Sequence, residues 1–136
     1  MKVVVIYGSP RKRGSSRYLC EKFIEGLKEN QNEVFEFDAC FTQVGSCLAC
    51  NYCQKNDRCV QNDDMQLLYP HLLAADVICF SSPLYYFGLS SQIKKVIDRF
   101  YAINDELMGK KKTILLLSRE KTPWKKSIFA KQQQSS

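Results

Sequence analysis

Two groups of residues carry chemistry in their types and spacing. The first is Gly8-Ser9-Pro10-Arg11-Lys12-Arg13-Gly14-Ser15-Ser16, which follows a β-branched run and precedes a helical pattern. A strand, a tight turn and a helix start in that order leave backbone N–H groups pointing outward, a setting that suits an anion. The hydroxyls of Ser9, Ser15 and Ser16 add donors, and Arg11 offers a planar fork to phosphate. The second group is Cys47, Cys50, Cys53 and Cys59, spaced Cys-x2-Cys-x2-Cys-x5-Cys. Thiolates this close can converge on one metal centre, because each two-residue gap permits a tight turn. A single zinc usually draws two ligand pairs across a longer gap. The ferredoxin run places proline after its fourth cysteine, where this chain has Val60. On spacing alone an iron-sulfur cluster, zinc and metal-free thiols all stay open.

The phosphate loop excludes several ligands. It has no Gly-x-Gly-x-x-Gly, so the dinucleotide fingerprint is absent, and no Gly-Lys-Ser/Thr for a nucleoside triphosphate. No cysteine stands before a phosphate-loop arginine, which disfavours a phosphatase. What remains is a hydroxyl-rich loop for one terminal phosphate. A second loop, Pro83-Leu84-Tyr85-Tyr86-Phe87-Gly88, puts three aromatics after a later strand. A planar ring can stack there, at roughly 0.5–1.5 kcal/mol per good contact. Phosphate and flat ring together suggest FMN, with core or dimer contact as the plainer use of the aromatics.

These loops must be carried by strands and helices. Residues 2–7 are apolar after Lys2, as in a strand buried on both faces. Leu19, Phe23, Ile24 and Leu27 mark a helix with Ser15 or Ser16 as N-cap. Residues 33–38 predict a second strand nearer the edge, and residues 39–62 a functional loop. Asp63-Asp64 opens a helix along Met65, Leu67, Leu68, Leu72 and Leu73, with a kink or restart at Pro70. Residues 76–80 form a third strand. Ser90 or Ser91 caps a helix along Ile93, Val96, Ile97, Phe100 and Tyr101, and residues 113–118 form a fourth strand. Alternating strands and helices predict an α/β fold with a parallel sheet covered on both faces. Ligands of such sheets sit beyond the carboxyl ends of the strands, where both loops open.

At 136 residues the chain fits one domain. The net charge is +6, but eight of the 20 basic residues fall in residues 110–131 against one acid. Elsewhere 12 basic and 13 acidic residues balance, so the body is neutral, and the basic end reads as a solvated tail with no nucleic-acid partner. No apolar run approaches the ~20 residues of a membrane span, and no signal-peptide pattern precedes the first strand. We therefore expect a cytoplasmic protein with no membrane partner. Seven cysteines there imply reduced thiols or metal. Cys20 and Cys79 read as buried small hydrophobes, Cys40 has no assigned role, and His71 reads as structural.

GSPRKRGSS, DDMQ, the AAD before the third strand and SPLYYFGLSSQIKKVIDRF together resemble the flavodoxin-like NADPH-dependent FMN reductases. With the cysteines, the chain is most similar to their iron-sulfur flavoprotein branch, over residues 1 to 117. The resemblance implies a flavodoxin-like three-layer sandwich with strand order 2-1-3-4. It implies that Ser9, Arg11, Ser15 and Ser16 hold the FMN phosphate and that Pro83, Leu84, Tyr85, Tyr86, Phe87 and Gly88 contact the ring. Cys47, Cys50, Cys53 and Cys59 match the ligands of one 4Fe-4S cluster. It further implies a homodimer with flavin near the interface, NAD(P)H as donor, and a small acceptor or electron carrier. No side chain stands out as acid or base.

The resemblance falls short at the end. The family has a fifth strand and a closing helix, whereas 18 residues follow Ser118 here, fewer than the ~30 of a crossover unit. We divide the chain into a flavodoxin-like domain, residues 1–118, with a cysteine-rich loop at 40–62, and a basic tail, residues 119–136. One face of strands three and four is expected to lack its helix, with Trp124, Ile128 and Phe129 or a partner covering it. An FMN-dependent oxidoreductase is the first functional expectation. The alternatives are a non-catalytic electron carrier with a 4Fe-4S cluster and a cofactor-poor fragment.

Overall fold

The computed structural model describes residues 1–119. Its centre is β1 (Lys2–Tyr7), in which every residue after Lys2 is buried. Consecutive strand side chains point to opposite faces. Val4 and Ile6 accordingly join one core with Phe37, Met65, Leu68, Leu72, Ile78, Phe80, Ile93 and Val96. Val3, Val5 and Tyr7 join the other with Cys20, Ile24, Val77 and Cys79. A strand with two apolar faces needs helices on both sides, and the fold supplies them.

β1 pairs in parallel with β2 (Glu33–Asp38) on one side and β3 (Val77–Pro83) on the other, and β4 (Lys112–Ser118) flanks β3. The sheet order is β2-β1-β3-β4, the flavodoxin-like order expected. Helix α1 (Ser15–Glu29) packs on the Val3–Val5 face. On the other face lie α3 (Met65–Ala74) and α4 (Ser91–Asp98), with a 3-10 turn (Arg99–Ile103) and α5 (Asn104–Leu107) following α4. A five-residue helix, α2 (Tyr52–Asn56), sits inside the cysteine-rich loop.

Several local expectations are corrected. Gly14, not Ser15 or Ser16, is the N-cap of α1, and the serines are its first two helical residues. Its buried line is Ser16, Cys20 and Ile24, while Leu19 turns outward. Ser16 Oγ meets Ser81 Oγ at 3.4 Å beneath the loop, and Cys20 and Ile24, with Phe23 and Leu27 partly buried against them, pack on Val3, Val5 and Tyr7. β3 runs on through Ser81, Ser82 and Pro83, paired with Leu116, Leu117 and Ser118. These residues read as loop because they are polar. They stay in the sheet because the Ser82 hydroxyl is satisfied, donating to the Pro83 carbonyl at 2.8 Å and accepting from the Ser90 amide at 2.9 Å. α3 passes unbroken through Pro70, which is exposed, so the lost donor costs one carbonyl partner on the wet side. α4 is capped by Ser90 as expected, but regular helix ends at Asp98, leaving Phe100 and Tyr101 on the 3-10 turn.

The bare face is narrower than expected. Ile78 and Phe80 of β3 are buried, and only β4 shows apolar side chains to solvent, with Leu115 54% and Leu117 46% exposed. Trp124, Ile128 and Phe129 lie outside the described residues.

Gly8 is where β1 leaves the sheet. A Cβ built there would stand 2.4 Å from Ile93 Cδ1 and 2.6 Å from Ser90 Oγ. Ile93 and Ser90 are both fully buried, so neither can swing away. Gly8→Ala is expected to destabilise the fold by about 1–3 kcal/mol through overpacking. Adding Ile93→Val, which removes one of the two Ile93 carbons that stand at 2.4 Å, should recover part of that loss in a urea-unfolding cycle; strict additivity would show that the two residues do not compete for space.

Candidate functional site

The phosphate loop begins where the Gly8 amide donates to the Ser81 carbonyl at 2.7 Å, joining the ends of β1 and β3. Ser9 is buried, and its hydroxyl accepts from the Arg11 amide at 3.2 Å. Ser16 is buried toward Ser81, while Arg11 and Ser15 are exposed. The four expected residues thus surround one turn but do not present equivalent hydroxyls. The helix start behind them is unusual in chemistry. Its N-cap is a glycine with no side chain to accept from the first-turn amides, and that turn holds no acid. α4, by contrast, is capped by Ser90 Oγ accepting from the Ile93 amide. The N-terminus of α1 is therefore the one of these two left to an outside acceptor.

The aromatic loop is a two-residue hairpin. Tyr85 and Gly88 exchange backbone hydrogen bonds of 2.9 and 3.0 Å, and Tyr86 and Phe87 between them have φ of 43° and 70°. Left-handed pairs of this kind favour Asn-Gly, and aromatic side chains there store of order 1–3 kcal/mol each. Both are exposed, at 63% and 70%, with their rings edge-to-face at 5.5 Å. Gly88 has ordinary φ; the left-handed positions are Tyr86 and Phe87 before it. Leu84 continues the ladder by donating its amide to the Ser118 carbonyl at 2.8 Å. Beside the hairpin opens a cleft of about 650 Å³, lined by Tyr85, Leu89, Gln92, Lys94, Lys95 and Ser46 among others.

The four clustered cysteines line a single hollow of about 30 Å³ with Arg99, Tyr101 and Asp98, and Asp98 also borders the larger cleft. All seven cysteines are free thiols. No three His, Cys, Asp or Glu side chains among the described residues come close enough to hold one metal ion. The loop bends through left-handed residues at Ala49, Asn51 and Asp57. Away from it, burial pushes the Cys79 thiol up to about 12 and the half-buried Cys40 thiol, with Asp38 beside it, up to about 11. Neither is a nucleophile at neutral pH.

The roles of three positioning groups escaped the sequence reading, which took Asp63 only as the opening of a helix. Arg99, 2% exposed, forks onto Asp63 at 2.6 and 3.1 Å and donates to the Gly45 carbonyl at 2.9 Å. Asp63 in turn accepts from the Gly45 and Met65 amides. Together they clasp the two ends of the cysteine loop. Arg17 is the third, bonding the Ser9 carbonyl and Asp38. The available signal was an arginine in an otherwise apolar helix stripe and another in the first turn of a helix, where a cation opposes the dipole.

Residues 1–123 match the family model of the NADPH-dependent FMN reductases. The chain belongs to that family. Within it, the chain falls with the iron-sulfur flavoproteins: it is 39% identical over 103 residues to an iron-sulfur flavoprotein of Methanosarcina thermophila, covering 73% of this chain and 52% of the relative. An iron-sulfur flavoprotein of Methanocaldococcus jannaschii is 36% identical over 104 residues, 76% of this chain and 52% of the relative. The chain thus spans about half the length of the curated relatives it matches. Among solved structures, an NAD(P)H:quinone oxidoreductase from Methanothermobacter marburgensis superposes with a TM-score of 0.70 at 19% identity, over 98% of this chain and 71% of that one. Likeness at that identity supports the fold alone. No helix among the described residues is long and apolar enough to cross a membrane.

The clasp has a pH signature. Burial pushes the Asp63 carboxyl up, but Arg99 and the two amides outweigh it and hold it below the usual value. Its contribution is present above the unfolded value of ~3.9 and is lost as pH falls through the lower native value. Asp63→Asn leaves Arg99 buried and unpaired, an expected loss of about 3–5 kcal/mol at pH 7. The gap between variant and parent should narrow below pH 4 in thermal melts; a constant gap would remove the charge from the account.

Proposed function

We propose that this chain binds FMN at the carboxyl edge of β1 and β3 and serves as an FMN-dependent oxidoreductase. The observation that carries the reading is the glycine-capped start of α1, whose N-cap offers the first-turn amides no side-chain acceptor. The FMN phosphate would fill that place, held by the turn at Ser9, by Arg11 and by Ser15, with Ser16 bracing the loop from below. The ring would lie at Pro83, Leu84, Tyr85, Tyr86, Phe87 and Gly88, where Tyr86 and Phe87 hold exposed rings on a left-handed turn. FMN supplies the electron chemistry when bound, and the protein binds it, orients it and tunes its potential. NAD(P)H is the proposed donor, and a small acceptor or electron carrier would enter the neighbouring cleft. We propose a homodimer, as the family resemblance implies.

Cys47, Cys50, Cys53 and Cys59 are the proposed ligands of a 4Fe-4S cluster. Four thiols on one hollow give an all-sulfur donor set, as such a cluster needs. A second reading, a non-catalytic electron carrier, is favoured by the closeness of that hollow to the cleft through Asp98.

The absorption spectrum of anaerobically purified protein tests both. Flavin bands with pyridine-nucleotide turnover support the oxidoreductase, both cofactors without turnover support the carrier, and a colourless protein sinks the two together. Arg11→Ala should weaken FMN binding about 10- to 100-fold, the equivalent of roughly 1.5–3 kcal/mol for a charged hydrogen bond. Cys53→Ala should purify without iron, and a full iron content would refute the ligand set.

A further inference from the structure

Arg17 is the third residue of α1, where a positive charge opposes the helix dipole and no acid of the first turn offsets it. Its surroundings show what it does instead. One terminal nitrogen donates to the Ser9 carbonyl at 3.0 Å and to Asp38 Oδ2 at 2.5 Å. The guanidinium lies 4.8 Å over the Tyr7 ring and 5.7 Å from Phe41. Asp38 is itself fixed at the end of β2, because its other oxygen accepts from the Cys40 amide at 2.9 Å. The side chain is 12% exposed, and its Nε–H is buried with no partner among the described residues. Arg17 therefore ties the ends of β1 and β2 to the first turn of α1, and it grips Ser9 by the carbonyl while Arg11 grips it by the hydroxyl.

We infer that Arg17 is a positioning residue for the phosphate loop and thereby a determinant of selectivity for phosphorylated over unphosphorylated flavin. This rests on the flavin reading above. One terminal nitrogen reaches the carbonyl and the carboxylate while the guanidinium plane rests over Tyr7, and a lysine ammonium offers a point charge without that plane. Freed of the Arg17 hydrogen bond, the Ser9 turn loses the constraint that holds its amides before the helix start. The ring half of the site, on the β3 hairpin, does not depend on it.

The test compares Arg17→Gln and Arg17→Lys with the parent by flavin fluorescence quenching, using FMN and riboflavin as separate probes. Arg17→Gln is expected to raise the Kd for FMN at least 10-fold and to leave that for riboflavin within about 3-fold, with Arg17→Lys between. An unchanged FMN-to-riboflavin ratio, or equal loss of both, overturns the proposal, because a merely structural role would move both ligands alike. If the parent binds neither flavin, the flavin reading falls, and amide shifts of residues 8–17 on titration with inorganic phosphate still decide the role of Arg17. Shifts present in the parent and lost in Arg17→Gln support it; shifts equal in both, or absent in the parent, overturn it. Should Arg17→Gln not fold, Arg17→Lys carries the same two readouts.

Discussion

At Gly8 the backbone amide meets the Ser81 carbonyl at 2.7 Å, and Ile93 and Ser90 close in on the space a Cβ would occupy. This contact joins the carboxyl ends of β1 and β3 to the start of α4. It decides that the turn after β1 and the hairpin after β3 open side by side. A side chain at residue 8 would push α4 away from the sheet or lift the loop off it, and either shift separates the phosphate end of the site from its ring end. The rest of the arrangement follows from this approach, since the buried Ser82 hydroxyl holds the Ser90 amide and Ser90 caps α4 over the same point.

Two arginines organise what surrounds that junction. Each is held by one carboxylate and one backbone carbonyl, Arg17 by Asp38 and Ser9, Arg99 by Asp63 and Gly45. A carbonyl on an irregular loop has no ladder partner, and a buried guanidinium satisfies it while its own charge is neutralised by the carboxylate. The result is two loops fixed from beneath by side chains of neighbouring helices. This leaves the outer surfaces of the phosphate turn and the cysteine loop open to ligands. Left-handed residues at Ala49, Asn51, Asp57, Tyr86 and Phe87 fall in the cysteine loop and the aromatic hairpin. Strain of that sort persists where the surrounding fold over-determines the backbone.

Much of the fold was legible because its signals are local. The apolar run of β1, the Ser90 cap and the alternation of strand and helix patterns each depend on residues close in sequence, and they led to the four strands, while the strand order came from the family resemblance. The misreadings share one cause. Ser81-Ser82-Pro83 looked like loop because the partners of the two hydroxyls, at Ser16 and Ser90, are remote or fall in the next element. In the α1 stripe Phe23, Ile24 and Leu27 face the core as read and only Leu19 does not, while Ser16 faces inward to a strand 65 residues away. Gly14 was passed over as N-cap because serine is the stronger capping residue by propensity, and an outside acceptor does not show in propensity.

By itself the sequence determined the chemistry available: a hydroxyl- and arginine-bearing turn, an aromatic loop, four closely spaced thiols and a family pattern that joins them. Those are properties of residue type and short spacing. Tertiary structure decided which groups are committed inside and which face outward. It turned Ser16 to the core, pinned Ser9 through Arg17, clasped the cysteine loop with Asp63 and Arg99, and gathered the four thiols on one hollow. The reason is that charge pairing and close approach act between residues far apart in sequence, where only the folded chain brings them within reach.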